Sequence, residues 1–335
     1  MQKQLILLVF FSTLSLACQS AGATGTTGTM ATRAIQASTP LTSAEPIWDV
    51  NAGAMTGLAQ LVDHAVEAEY ILLGELHDNP WHHEGQSEIL DALLARNRRP
   101  AVAFEMFRVD QQALINEHFD RYPEDVTGLA ETLRWDDTGW PDWSFYAPLV
   151  ASAHYAGVPI VAANLSADTL TRMREEGMDA LDQGWRQRTG ADAPLPRQAK
   201  KELAEIIVTA HCGHAPDRLV EVMIDMQRAR DAKLAEQMTL PDTDGAVLIT
   251  GSQHARRDRG VPFYLRHMEP DASVVSIAFI ETDEDNGLVV DPALLSSDMP
   301  YDYLWFTPRV ERDDPCERFR RHLEKRGDPP AGLVE

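Results

Sequence analysis

Cysteine is scarce in this chain, three residues in 335, and no two of them form a Cys-x-x-Cys pair. That excludes the common thiol redox motif and cysteine-rich zinc sites. Positive charge is scarce as well: 30 Lys and Arg stand against 52 Asp and Glu, a formal net charge of −22. Such a surface repels nucleic acid phosphates and anionic membranes. The short basic runs at 96–99 and 255–259 build no patch, so no nucleic acid partner is expected. There is no P-loop, no Gly-x-Gly-x-x-Gly ahead of a helix and no Gly-x-Ser-x-Gly elbow, which removes the usual signals for nucleotide binding and for a serine hydrolase. What remains is ample for a core: 44% of the residues are hydrophobic and seven are Trp, at a length suited to one large domain or two modest ones.

The first 18 residues read as a targeting segment. Lys3 precedes an apolar stretch over 5–17 that ends at Cys18, of signal-peptide length and too short to span a bilayer as a mature helix. A small residue directly before Cys resembles a bacterial lipoprotein signal, with Cys18 as the lipidated first residue of the mature chain; Ser15 departs from the usual Leu, and simple secretion is the alternative. Gln19 after the Cys favours the outer membrane over the inner one. Residues 19–46 are rich in Gly, Ala, Ser and Thr and read as a flexible tether with a reach of roughly 30 Å. The α/β domain is expected over 47–310, followed by a tail over 311–335. In an oxidising compartment Cys212 and Cys316 are an even pair, and both a disulfide and two buried thiols remain open.

The most telling feature is a repeated pattern, Gly-x-x-His, at the end of two apolar runs: YILLGELH at 70–77 and AVLITGSQH at 246–254. Short apolar runs bounded by Gly read as buried strands. In an open parallel sheet every strand delivers its carboxyl end to one edge, where ligands bind, so two distant histidines can share a site. Further strands are expected at 101–106, 158–164 and 273–281, with a late edge strand over 301–310 and helices over 55–69 and 82–96. Strands alternating with helices argue an α/β fold with a largely parallel central sheet and flanking helices. A smaller helical subdomain is expected as an insertion over about 166–241, broken near 184–196.

The residues just past the strands are Glu75, His77 and Asp78, then Glu105, then Asn164, then Gln253 and His254. Glu75, His77, Glu105 and His254 are the candidate catalytic set, and the same four are candidate ligands for a divalent metal. Each also has a plainer role available: Glu75 or Asp78 as a helix cap, Glu105 paired with Arg108 or Arg256, His82 and His83 as solvated first-turn residues. The stretch WDDTGWPDWSFYAPL at 135–149 suggests an apolar slot suited to haem, with Trp140, Trp143, Phe145 and Tyr146 as lining and Tyr155, His211 or His214 as donors. The same aromatics also suit plain packing between the sheet and an insertion. HCGH at 211–214 has metal-like residues without a second matching half.

GELHDNPWHHEGQ at 74–86, AFEMFRVDQQ at 103–112, Trp140-x-x-Trp143-x-x-Tyr146, AAN at 162–164, MQRARDAKLAEQM at 226–238 and GSQHARRDRGVP at 251–262 together resemble the ChaN-like haem-binding lipoprotein family, within the wider group of erythromycin esterase, TraB and Tiki proteins with paired Gly-x-x-His motifs. The resemblance covers roughly residues 50–310. It implies a lipid-anchored envelope protein for haem or iron acquisition, with haem as its partner, a homodimer enclosing haem and tyrosine ligation; Tyr146 is the expected ligand and Tyr155 the second choice. The wider group implies instead a hydrolase, metal-dependent or histidine-based, at Glu75, His77, Glu105 and His254. A non-catalytic envelope module is the third reading.

Overall fold

The computed structural model describes residues 47–282, 292–314 and 316–317. The signal segment, Cys18, the tether over 19–46 and most of the tail over 311–335 lie outside the described residues. Eight strands form one sheet: β1 (Ile47–Asp49), β2 (Ala54–Thr56), β3 (Tyr70–Glu75), β4 (Ala101–Arg108), β5 (Ile160–Asn164), β6 (Ala246–Gly251), β7 (Val274–Thr282) and β8 (Tyr303–Pro308). Their spatial order is β2-β1-β8-β7-β3-β6-β4-β5. From β8 to β5 every pairing is parallel, while β1 runs antiparallel to both β2 and β8. The fold class expected from strand and helix alternation is the one observed.

Two local expectations change. β8 is an interior strand, because the β1–β2 hairpin covers its outer side; those three-residue strands are too short to announce themselves as periodic patterns. The helix expected from residue 55 begins only at Leu58, α1 (Leu58–Ala65), since Ala54–Thr56 is committed to the hairpin.

The sheet carries helices on both faces, as buried parallel strands require. One face packs α1 and α2 (Pro80–Ala95), and also α3 (Ala147–Ala156), through Leu61, Ile89, Leu93, Leu149 and Val150 against Ile71, Leu73, Phe104 and Ile249. The other packs α4 (Asp217–Thr239) and α5 (Val261–Met268) through Ala235, Met238, Tyr264 and Leu265 against Leu72, Ala103, Leu248 and Leu304. Fully burying one such side chain contributes about 1.5–3 kcal/mol. α2 starts where it does because the Asn79 side chain accepts from Trp81 N–H at 3.0 Å and Pro80 occupies the first helical position, where its missing donor costs nothing.

The interval 166–241 is helical, as expected, and includes a helix at Gln183–Thr189 inside the anticipated break. The helix Arg197–Ala210 and the first half of α4 form a hairpin with its own small core of Leu203, Ile207, Val220, Met223 and Ile224. The second half of α4 lies on the sheet. The HCGH segment is the turn of this hairpin, and Cys212 is disulfide-bonded to Cys316. His211 donates from Nδ1 to the Ile207 carbonyl at 2.7 Å, so the segment serves the turn.

Candidate functional site

Strand alternation sets the site. Successive side chains point to opposite faces of a strand, so in β3 Gly74 faces one layer and Glu75 the other. At Gly74 a Cβ would stand 2.8 Å from Ala255 Cβ and 2.9 Å from Ser252 Cα; glycine lets the segment carrying the second His cross β3 this closely. Glu75 therefore points toward α2 and α3. In β4, Phe104 packs on the α2 and α3 side, which sends Glu105 to the α4 side. The Glu75 and Glu105 carboxylates thus lie on opposite faces of the sheet.

Gly251 separates them. It pairs in register with Glu75 and donates its N–H to Glu105 Oε2 at 2.8 Å, beside Thr250 Oγ1 donating to the same oxygen at 2.7 Å. A Cβ at Gly251 would lie 3.0 Å from His77 Nε2 and 3.6 Å from Glu105 Oε2. The structure accordingly brings Glu75, His77, Glu105 and His254 to one edge, as two acid–base clusters meeting at a glycine.

In the first cluster, Glu75 Oε1 accepts from His77 Nδ1 at 2.7 Å and from the Tyr146 hydroxyl at 3.0 Å, and its Oε2 faces His83 Nδ1 at 3.0 Å. Burial pushes the Glu75 carboxyl up, but His83 and His77 outweigh it and hold it at about 2. Burial pulls His77 and His83 down, and Glu75 reverses that, leaving both raised. In the second cluster, His254 Nδ1 bonds Asp231 Oδ1 at 2.6 Å, its Nε2 lies 3.2 Å from Glu105 Oε1, and the Gln227 amide is 3.1 Å from the same nitrogen. Burial disfavours the imidazolium, yet Glu105 and Asp231 raise His254 to about 10. Burial likewise opposes the Glu105 charge, and His254 holds that carboxyl well below the usual range.

These pairings replace the plainer roles. Glu105 meets His254, while Arg256 is taken by Asp258 and Glu202. Asn79 is the cap of α2, and Asp78 pairs with Arg312. His82 and His83 are buried: His82 accepts from Leu76 N–H and donates to Thr307 Oγ1, both at 2.8 Å, and burial lowers it to about 3. Asn164 is structural, donating to the Glu105 carbonyl at 2.9 Å. Sequence reasoning missed Asp231 and Gln227; both fall in the quoted stretch 226–238, where helical spacing marks a core face and hides them.

The divalent-metal reading does not hold. Among the described residues no group of three or more His, Cys, Asp and Glu could hold a metal ion. The reason lies in the pairing: both His254 nitrogens are engaged and Glu75 faces its own two histidines, so the donors do not converge on a point.

The aromatic stretch is packed inside. Tyr146 is fully buried and Trp143 nearly so, with Trp143 at 5.0 Å from Trp135; Phe145 stacks on His83 at 5.0 Å and Trp140 meets the His77 ring edge-on at 4.8 Å. Trp140 and Phe145 are half-buried, and these rings wall the first cluster. The opposite placement holds for Tyr155, which is 60% exposed, as is Tyr122 at 51%. His154 meets Tyr155 at 5.3 Å and stacks on Phe119 at 4.0 Å.

A family model described as haem-binding uptake, Tiki superfamily, ChaN, matches residues 61–265. Among solved structures, the ChaN of Campylobacter jejuni, described by its cofacial heme binding, superposes with a TM-score of 0.60 at 22% identity, covering 77% of this chain and 94% of that one. The type III effector HopBA1 matches at 0.42 and 12% identity (82% and 98% covered), and an erythromycin esterase mutant in its open conformation at 0.40 and 12% (79% and 82%). No curated protein matches.

Proposed function

The chain belongs to the ChaN family of haem-binding uptake proteins in the Tiki superfamily, and on that premise we propose that it binds haem at the cell envelope in haem or iron acquisition. Family membership over residues 61–265 is the observation that carries this reading. The signal-like start supports export with Cys18 as lipid anchor, and pairing of two copies around haem accords with the family resemblance; among the described residues no helix is long and apolar enough to cross a membrane.

Two tyrosines are candidates to hold the haem iron. An axial phenolate must reach the iron and give up its proton. Tyr146 is buried against Glu75, and both burial and that carboxylate push its phenol well above the ordinary value, so it does not suit ligation. Tyr155 suits it better: its ring is 60% exposed and meets His154, which stacks on Phe119, so a phenol oxygen stands at the surface beside aromatic rings. Haem bound there would supply an iron centre with Tyr155 as its candidate axial donor.

The test is titration of the chain from Gln19 onward with haem, following the Soret band. A saturable change is expected, altered in Tyr155→Phe and retained in Tyr146→Phe. Absence of saturable binding refutes the haem reading, and the reverse pattern returns the ligand to Tyr146.

A second reading is favoured by one observation, the histidine held between two carboxylates at His254. That arrangement keeps an imidazolium, a proton source for acid-assisted hydrolysis. An ester panel assayed with the intact protein and with His77→Ala plus His254→Ala tests it; equal rates dismiss it.

A further inference from the structure

The two acid–base clusters are nearly closed to solvent: Glu75, Glu105, Asp231 and His254 are all buried, and His77, whose side chain is 16% exposed, is the most open of the set. Any molecule reaching them needs something to move. The element best placed to move is the helical hairpin of Arg197–Ala210 and the first half of α4. It has a small core apart from the two that clothe the sheet, and its half of α4 carries Gln227, whose amide is 3.1 Å from His254 Nε2.

That hairpin is tied down at its tip. Cys212, in its turn, is bonded to Cys316, 104 residues later. Four residues before Cys316, Arg312 forms ion pairs with both Asp78 and Glu281, and Asp78 directly follows His77. Four residues span at most about 14 Å, and the two disulfide Cα atoms are 5.5 Å apart. The tip is therefore tethered within reach of the end of β3, and Glu202 of the same hairpin pairs with Arg256 and Arg259, just past His254. Cys212 also adopts φ +55°, followed by Gly213 at +76°; a left-handed backbone is uncommon for a residue with a side chain, and the covalent tie fixes it. Both cysteines are partly exposed.

We infer that this hairpin is a redox-latched flap over the paired Gly-x-x-His site, with Cys212–Cys316 as the latch and the Arg312 ion pairs as a clamp on the latch side. An external dithiol opens it by thiol–disulfide exchange. One thiolate attacks a latch sulfur and forms a mixed disulfide; the second then displaces it, leaving a disulfide on the reductant and two protonated thiols on Cys212 and Cys316. Oxidation by a disulfide of higher potential closes it. The device rests on the site's geometry and is independent of haem binding.

The test compares the oxidised full chain, the same protein after reduction by dithiothreitol, and the variant C212S/C316S, by hydrogen exchange and by diethylpyrocarbonate labelling of histidines. Opening is expected to lower protection of the hairpin about tenfold or more while β3 and β6 keep theirs, and to speed labelling of His77 and His254. Arg312→Gln, with the disulfide intact, is expected to show an intermediate effect. Unchanged hairpin exchange and unchanged labelling after reduction overturn the inference. So does loss of protection throughout the sheet, since the disulfide is then a staple of the whole fold.

Discussion

Glu105→Gln keeps the shape of a buried side chain and removes its charge, leaving His254 with Asp231 alone. Glu105 Oε1 stands 3.2 Å from His254 Nε2, and at an effective dielectric of about 20 that separation corresponds to roughly 5 kcal/mol of attraction. Removing one partner of a buried pair typically costs about 3–5 kcal/mol, because the other charge stays buried. The sign with pH follows from His254. Its pKa rises from 6.5 to about 10 on folding, so its stabilisation is fully present below the unfolded value and is lost as pH climbs through the folded one. Urea unfolding of both proteins at pH 7 and near pH 10 is the assay. The variant is expected to be about 3–5 kcal/mol less stable at pH 7, with the gap narrowing toward pH 10 as His254 loses its proton. A cost under about 1 kcal/mol, the size of an exposed pair, or a gap that does not change with pH, refutes the assignment of a charged Glu105–His254 pair.

Glu75 behaves in the opposite sense: depressed from 4.5 to about 2, it contributes stability above pH 4.5 that disappears as pH falls through 2, and Glu75→Gln should flatten the acid limb of a melting-temperature profile. Gly74→Ala must displace backbone at Ser252 and should cost about 1–3 kcal/mol, seen as a lower melting temperature; Gly251→Ala, by pressing on His77 Nε2 at 3.0 Å, should chiefly shift the His77 imidazole resonances in NMR.

The sheet was legible because buried parallel strands are apolar runs bounded by glycine, so 70–75, 101–108 and 246–251 stand out in any reading of the chain. The β1–β2 hairpin was not, since three residues per strand carry no period. Within the site, Glu75, His77, Glu105 and His254 were legible from their position after strands. Asp231 and Gln227 were not, for on a 23-residue helix their spacing reads as part of a packed face, and only the approach of that helix to β6 makes them partners of His254. Tyr146 shows the same limit from the other side: a tyrosine in an aromatic motif looks available, and packing against Glu75 takes it away.

The sequence by itself determined the parallel sheet, the edge at which the paired motifs meet, and the net negative charge, because these depend on local apolar period, on strand direction and on a sum of charges. Tertiary structure alone decided which face of the sheet each carboxylate occupies, which histidines hold protons, which tyrosine faces solvent, and that Cys212 meets Cys316. Those depend on what burial brings within a few ångströms, and residues 104 apart in the chain carry no trace of that in their order.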